Sequence, residues 1–364
     1  KAKGESFYTI GSSGHEANSV FGKFSRITDM AFLHYRSGPF YLARAKNKPG
    51  STPLWDMLLS FAASAEDPIS GGRHKVIGSK ELFIPPQTST IASHLPKAIG
   101  AALSVTRTKH LKVEGLIPHD SVIMCSFGDA SLNHSSAIGA INSSEWIAYQ
   151  NIPLPLLWIC EDNGLGISVR TPDNWVSAQM RNRSVIKYYS CDGLNVLDVY
   201  RQTKAALKYI RTTKRPAFLH MSTVRLLGHA GSDIETTYLS SKEIENSESQ
   251  DPLLHTARLV LESGAMKLQE IIALYLKLKE RIDCISIQVM KRPKLKSCLE
   301  VAASVVPTTS GRKSFLHPSE DQRKAVFDRE WKQFAHKQTM GKLINWALND
   351  LMLMYPNSVL FGED

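Results

Sequence analysis

Two apolar runs, each stopped abruptly by an acidic polar loop, constrain this chain most. The first is Val122-Ile123-Met124-Cys125-Ser126-Phe127, which ends at Gly128-Asp129-Ala130-Ser131. The second is Leu154-Pro155-Leu156-Leu157-Trp158-Ile159-Cys160, which ends at Glu161-Asp162-Asn163-Gly164. Runs this short and this apolar read as strands buried on both faces, with a small-residue helical segment between them. Strand, helix and strand in that order make parallel neighbours, and the loops carrying Asp129 and Asn163 then emerge at the carboxyl ends of the strands. Open α/β sheets bind their ligands there. Asp and Asn offer hard oxygen ligands, the type suited to Mg²⁺ bridging a diphosphate.

The alternation continues downstream. Residues 171–180 read as a turn and helix, 188–191 as a short strand, 195–212 as a helix with Val196, Val199, Tyr200 and Ala206 on one face, and 217–221 as another buried strand. This pattern predicts an α/β fold: a parallel sheet with helices on both faces. Helical periodicity follows over 253–261 and 267–282, with Gly264 as a break. Residues 291–336 mix Pro, Ser, Thr and charge and read as a linker with helical pieces. An amphipathic helix over 338–355 leads into a predicted strand at Ser358-Val359-Leu360-Phe361, then Gly362-Glu363-Asp364, like the opening of a second α/β domain. The predicted organisation is therefore a first domain over 1–290, a linker over 291–336 and the start of another domain over 337–364. No internal repeat or low-complexity tract interrupts it.

Composition narrows the classes of function. Apolar residues make up 43% and charged residues 21%, ordinary values for a chain with a substantial core. No run approaches the roughly 18 apolar residues of a membrane span. The net charge of +10 favours anionic partners, yet the basic residues are dispersed and no nucleic-acid-binding motif accompanies them. An anionic cofactor accounts for part of that charge more economically, so neither nucleic acid nor membrane is expected as a partner. Cys125, Cys160, Cys191, Cys284 and Cys298 form no C-x-x-C pair and are expected to be reduced and buried. That points to a reducing compartment: bacterial cytoplasm first, with a mitochondrial matrix as the alternative. The chain starts at Lys1 with no signal-like segment, and a removed targeting segment would leave no trace.

Several polar stretches are candidates for a site. Gly11-Ser12-Ser13-Gly14-His15-Glu16-Ala17 reads as a turn into a helix capped by Ser12 or Ser13. His15 there reads as a surface or capping residue, with a substrate-facing role as the alternative. Tyr35-Arg36, just ahead of a helical segment over 40–46, sets an aromatic ring and a guanidinium where they would grip phosphate, although such pairs are also common on surfaces. Thr88-Ser89-Thr90-Ile91 is a polar turn ahead of a small-residue helix over 96–106. Arg225-Leu226-Leu227-Gly228-His229-Ala230-Gly231 follows the last strand; His229 is equally readable as a site residue or as a loop residue satisfied by backbone groups.

Taken together, these segments resemble the decarboxylating (first) component of the 2-oxo acid dehydrogenase complexes, from about residue 7 to residue 233. Gly128-Asp129-Ala130 and Asn163, 34 residues apart (163 − 129), match the family's Gly-Asp-Gly…Asn thiamine diphosphate motif, with Ala130 in place of the third residue. Tyr35-Arg36 matches its diphosphate clamp, Ser89-Thr90-Ile91 the segment supporting the bent cofactor, and Arg225 with His229 its Arg and catalytic His. The resemblance implies Mg²⁺ held by Asp129, Asn163 and the carbonyl of Leu165. It implies a cofactor lined by Tyr35, Arg36, Ser89, Ile91, Gly128, Asp129, Ala130, Ser131, Asn163 and His229. Residues 338–364 resemble the start of the family's β-subunit, implying α- and β-subunits fused in one polypeptide and cut early in the second half. Glu363 matches a carboxylate linking paired active sites.

What the resemblance implies for function is oxidative decarboxylation of a 2-oxo acid, with the acyl group passed to a lipoyl group on a partner acyltransferase, by a homo-oligomer joined through the fused halves. Tyr8-Thr9-Ile10-Gly11 carries no His where pyruvate-type members have one, which favours a branched-chain substrate over pyruvate or acetoin. Without the Glu that meets the cofactor's aminopyrimidine, the chain alone is expected to turn over little. A transketolase-like enzyme is disfavoured by the Arg225…His229 loop, and a silent assembly homologue by the intact Arg36, Asp129, Asn163 and His229. A nucleotide-dependent oxidoreductase is disfavoured because no G-x-G-x-x-G follows the early strands.

Overall fold

The computed structural model describes residues 4–6, 9–87, 90–305 and 317–360. Tyr8, Ser89 and Glu363 lie outside them. The chain divides into two compact units, one of residues 1–106 with 117–297 and one of residues 107–116 with 298–364.

The larger unit is built on five parallel strands, β1 (Ala31–Phe32), β2 (Ile123–Gly128), β3 (Leu156–Asp162), β4 (Lys187–Asp192) and β5 (Ala217–Ser222), in the spatial order β1-β2-β3-β5-β4. The expected α/β fold is present. Its strands alternate as a pleat dictates. Met124, Leu157, Ile159, Leu219 and Met221 face one apolar core, while Ile123, Cys125, Phe127, Trp158 and Phe218 face the other. Helices α1 (Ser19–Phe24) and α2 (Gly38–Ala45) cover the first face with Phe21 and Phe40. Helices α3 (Pro53–Phe61), α4 (Leu95–Leu111), α5 (Ser135–Tyr149), α6 (Trp175–Met180) and α7 (Val196–Thr213) follow. Of these, α4, α5 and α6 cover the second face through Ala98, Ala140 and Met180, and α7 joins the first through Val199 and Ile210. Small residues on α4 and α5 let their backbones approach the sheet closely. Each large side chain so buried contributes about 1.5–3 kcal/mol.

Helix α7 begins at a true cap, because the Asn195 side chain accepts from the backbone N–H groups of Leu197 and Asp198. A buried acid fastens the amino end of the sheet. Asp29 accepts from the backbone of Val122 at 2.8 Å and pairs with Arg211 of α7 at 2.5 Å. Arg44, fully buried on α2, donates to the carbonyls of Asp29 (2.8 Å) and Leu82 (3.0 Å). Burial pushes its pKa down to about 10, which leaves it cationic at neutral pH.

Three expectations need correction. No serine caps the first turn. Residues Glu16–Asn18 form a 3₁₀ turn instead, and the Glu16 carboxylate accepts from the backbone N–H of Gly14. Cys125, Cys160 and Cys191 are buried, but Cys284 and Cys298 are exposed. Residues 358–360 form no strand, and the described residues of the smaller unit contain none with which they could pair.

After the sheet come α8 (Ser241–Ser249), α9 (Pro252–Glu262) and α10 (Leu268–Val289), which packs on α3. The smaller unit holds α11 (Cys298–Ala302), α12 (Glu320–Phe327) and α13 (Met340–Met354), joined by a 3₁₀ stretch over Asp328–Ala335. Phe327, Phe334 and Trp346 form its apolar centre, with Phe334 and Trp346 stacked at 4.1 Å between centroids. No described helix is long and apolar enough to cross a membrane.

Helices α1 and α2 meet through Gly22. A Cβ there would lie 2.2 Å from the carbonyl oxygen of Phe40, and backbone cannot yield as a side chain can. Gly22→Ala is expected to lower stability by about 1–3 kcal/mol, seen as a lower midpoint in urea denaturation. An unchanged midpoint would contradict this account of the contact.

Candidate active site

The site residues gather because of register. Gly128 on β2 stands level with Glu161 on β3, and Glu161 with Met221 on β5. Asp129 and Asn163 therefore leave adjacent strands at nearly the same height. The chain leaving β1 delivers Tyr35 and Arg36 beside them, and the chain leaving β5 delivers Arg225 and His229. Four segments far apart in sequence converge on the carboxyl edge of one sheet.

Asp129 is buried and its carboxylate accepts from Thr171 Oγ1 and from the backbone of Asn163. Burial, reinforced by the nearby Asp162, pushes its pKa up to about 6. A buried acid beside a second acid is a carboxylate that a cation would stabilise. Asn163 turns its Oδ1 toward the backbone N–H of Leu165, at 3.1 Å. The Asp129 carboxylate, the Asn163 carboxamide oxygen and the Leu165 carbonyl are all hard oxygens, so the donor set fits Mg²⁺ better than a softer metal. Gly164 turns at φ +70° with nothing within 4 Å of where a Cβ would sit, leaving open space in the loop between Asn163 and Leu165. Ala130 lies against Gly166, and Ser131 is buried in the 3₁₀ turn Asp129–Asn133. Ile91 is 46% exposed, as a side chain awaiting a ligand surface would be.

On the opposite side, Arg36 donates to the carbonyls of Gly11 (2.8 Å) and His229 (2.9 Å), with a longer contact to His229 Nδ1 at 3.4 Å. Tyr35 stands edge-on to His229, 5.8 Å between centroids. Burial lowers the pKa of His229, and the Arg36 and Arg225 guanidiniums lower it further, so its ring is neutral at pH 7. With Nδ1 facing Arg36, the ring proton falls on Nε2. The backbone N–H of His229 donates to Asp233 at 2.6 Å, and Tyr238 donates to the same carboxylate oxygen. Burial opposes ionisation of Asp233, but these two donors outweigh it and hold its carboxyl below the usual range.

Arg225 works as a strut. It donates to the carbonyls of Gly166 (3.0 Å) and Ile167 (2.9 Å) and to the Tyr238 hydroxyl (2.7 Å), tying the β3 loop to the His229 loop. Sequence reasoning did not pick out Thr171, Asp233 or Tyr238 as partners of site residues, since each is a common loop residue whose role depends on what it meets.

It also misjudged His15, which is neither on the surface nor exposed to substrate but 0% accessible. Gly14, at φ +93°, delivers it past β5; a Cβ at Gly14 would lie 2.0 Å from the carbonyl oxygen of Val224. His15 Nδ1 meets Glu161 at 2.7 Å. The buried Glu161 carboxylate also accepts from Ser37 Oγ (2.7 Å) and Asn18 Nδ2 (3.3 Å), with His34 Nδ1 at 3.8 Å. Burial opposes its charge, yet the surrounding donors hold its carboxyl well below the usual carboxylate range. Burial also lowers the pKa of His34, to about 4. Among the described residues, His15, His34 and Glu161 are the three metal-type ligands that come close together, within 4.8 Å; His15 Nδ1 and the Glu161 carboxylate are already hydrogen-bonded, whereas His34 Nδ1 has no hydrogen-bond partner.

Residues 1–298 match the family described as dehydrogenase E1 component. Among curated relatives, a 2-oxoisovalerate dehydrogenase subunit alpha of Bacillus subtilis (strain 168) is 27% identical over 267 residues, 71% of this chain and 74% of that protein. The mitochondrial subunit of the same name from Mus musculus is 25% identical over 242 residues, 65% of this chain and 50% of that protein. A probable pyruvate dehydrogenase E1 component subunit alpha from Caenorhabditis elegans is 26% identical over 166 residues, 45% of this chain and 40% of that protein. The chain thus spans half or less of the length of these two mitochondrial relatives.

Losing the Arg225 strut would free the His229 loop from the β3 loop. Arg225→Met is expected to cost about 2 kcal/mol of local stability, a roughly 30-fold acceleration of amide hydrogen exchange over residues 228–238. Unaltered exchange in that segment would remove the strut from this account.

Proposed function

The chain belongs to the dehydrogenase E1 component family, thiamine diphosphate-dependent oxidoreductases of 2-oxo acids, and from that premise we propose that it forms the metal–diphosphate half of a branched-chain 2-oxo acid dehydrogenase site. The observation that carries the reading is the meeting of Asp129 and Asn163 at the ends of adjacent strands, opposite Arg36 and His229. In this reading Asp129, Asn163 and the Leu165 carbonyl would hold Mg²⁺, which would supply positive charge for a diphosphate. Tyr35 and Arg36 supply an aromatic wall and positive charge, Gly128, Ala130 and Ser131 line the cradle, and Ser89 and Ile91 support the rings. Thiamine diphosphate, when bound, supplies a nucleophilic carbon and an electron sink for loss of carbon dioxide.

The remaining chemistry belongs to side chains. His229, neutral and carrying its proton on Nε2, is set to donate to an oxygen as negative charge develops there, or to shuttle a proton. Arg36 holds the backbone and ring of His229 in place while remaining cationic. Arg225 keeps the loop closed over the β3 turn. The acyl group is passed to the lipoyl group of a partner acyltransferase, and the protein works as an oligomer. The branched-chain preference is supported by the names of the Bacillus and mouse relatives. Pyruvate is the second reading, supported by the nematode relative. Residues 338–364, beyond the family match, carry the further proposal of a fused β-subunit opening, with Glu363 as its carboxylate.

Two variants test the assignments. Asp129→Ala is expected to abolish Mg²⁺-dependent binding of thiamine diphosphate in calorimetry; unchanged affinity would sink the metal assignment. His229→Ala, assayed with its partner subunits, is expected to keep the cofactor while acyl transfer to lipoamide falls about 10²–10⁴-fold. Full transfer activity would refute its role.

A further inference from the structure

A carboxamide ligand has a problem that a carboxylate does not: only one of its two ends can bind a cation. Asn163 must present Oδ1 to the metal, and a half-turn of its amide would present two N–H groups instead. Something must decide which way it points.

The deciding contact is partly buried and joins Asn163 to a residue 148 positions away in sequence. Asn163 Nδ2 meets His15 Nε2 at 3.0 Å, while His15 Nδ1 meets Glu161 Oε2 at 2.7 Å. Glu161 is an ionised carboxylate ringed by donors, so the His15 nitrogen facing it must carry the proton. Nε2 then presents its lone pair to Asn163, whose Oδ1 is already taken by the Leu165 N–H. Only an N–H can approach that lone pair, so the NH₂ end of Asn163 turns toward His15 and the oxygen turns away. The backbone N–H of Leu165 meets that oxygen at 3.1 Å and reinforces the same orientation.

We propose that His15 is a positioning residue for the cation site: it takes its tautomer from buried Glu161 and thereby locks the Asn163 carboxamide with its oxygen toward the metal. The inference rests on the assignment of Asn163 as a metal ligand. It assigns a role to a side chain that neither the metal nor the diphosphate needs to touch. Ligand-orienting groups of this kind are worth roughly 10–100-fold in metal affinity.

Two substitutions separate the halves of the imidazole. An Asn side chain occupies the place of Nδ1 and keeps the bond to Glu161 but cannot reach Asn163. A Gln side chain reaches the place of Nε2 and offers Asn163 an acceptor. Thiamine diphosphate would be titrated calorimetrically into the purified full chain, with Mg²⁺ and with the metal chelated. His15→Asn is expected to weaken the Mg²⁺-dependent binding about tenfold or more, and His15→Gln to bind as the parent does. In an Asn163→Asp background, where either end of the side chain is an oxygen, His15→Asn is expected to add no further loss.

Parent-like binding by His15→Asn would overturn the proposal. So would equal weakening by His15→Gln, or a His15→Asn penalty that persists with Asp at position 163, since each would mark a packing role only. If the parent binds with Mg²⁺ and Asp129→Ala does not, such a result removes this inference alone. If the parent shows no Mg²⁺-dependent binding, the metal assignment falls and the inference with it.

Discussion

The buried carboxylate of Glu161 is the constraint on which the site depends. A charge in a dry interior is costly unless donors surround it, and here Ser37, Asn18 and His15 do so from the chain on either side of β1. Glu161 sits at the end of β3, one strand pairing from Gly128 and one from Met221. Its partners therefore pull the amino-terminal segment onto the centre of the sheet. Gly14 lets the chain pass against the Val224 carbonyl just beyond β5, and the Arg36 clamp closes on Gly11 from the same segment. Removing the acid would leave these three polar side chains without their acceptor in the interior, which is a larger loss than any single hydrogen bond.

Around this hub the larger unit separates rigid parts from adjustable ones. The strands supply height and spacing: Asp129 and Asn163 are level because Gly128 and Glu161 are paired partners. The loops supply chemistry, and each is tied back rather than left free. Thr171 holds Asp129, Leu165 and His15 hold Asn163, Arg36 holds His229, and Arg225 binds the two loops together. Such preorganisation puts charge and dipoles in place before a ligand arrives, so little reorganisation is needed on binding. Burial then tunes the groups in opposite directions. It raises the pKa of Asp129, making its carboxylate receptive to a cation, and lowers that of His229, keeping the ring neutral.

The sequence was most legible where the signal is local. Apolar runs at 122–127 and 154–160 marked β2 and β3, because a strand buried on both faces needs continuous hydrophobicity. The amphipathic pattern after Asn195 marked α7 for a similar reason, while its Asn195 cap showed only in the structure. By contrast, β1 has two residues, too few for any periodicity, and becomes a strand only because Met124 and Cys125 lie alongside it. Residues 358–360 look like a strand, but the described residues of their unit hold no strand for them to join. Local propensity without a partner does not make a sheet.

The sequence alone therefore determined the α/β alternation, the acids at the strand ends and which groups are candidates to meet a cation or a phosphate. Those are properties of short windows, where side-chain period and residue type suffice. Tertiary structure decided which of them act together. His15 looked like a surface residue because its neighbours are small and polar; burial against Glu161, 146 positions distant, made it a core residue beside a candidate ligand. Arg225 matches the family's Arg beside the catalytic His; the fold adds that its guanidinium meets two backbone carbonyls and a tyrosine hydroxyl and so braces the His229 loop. Partnerships across such distances depend on strand order and register, and no local pattern encodes them.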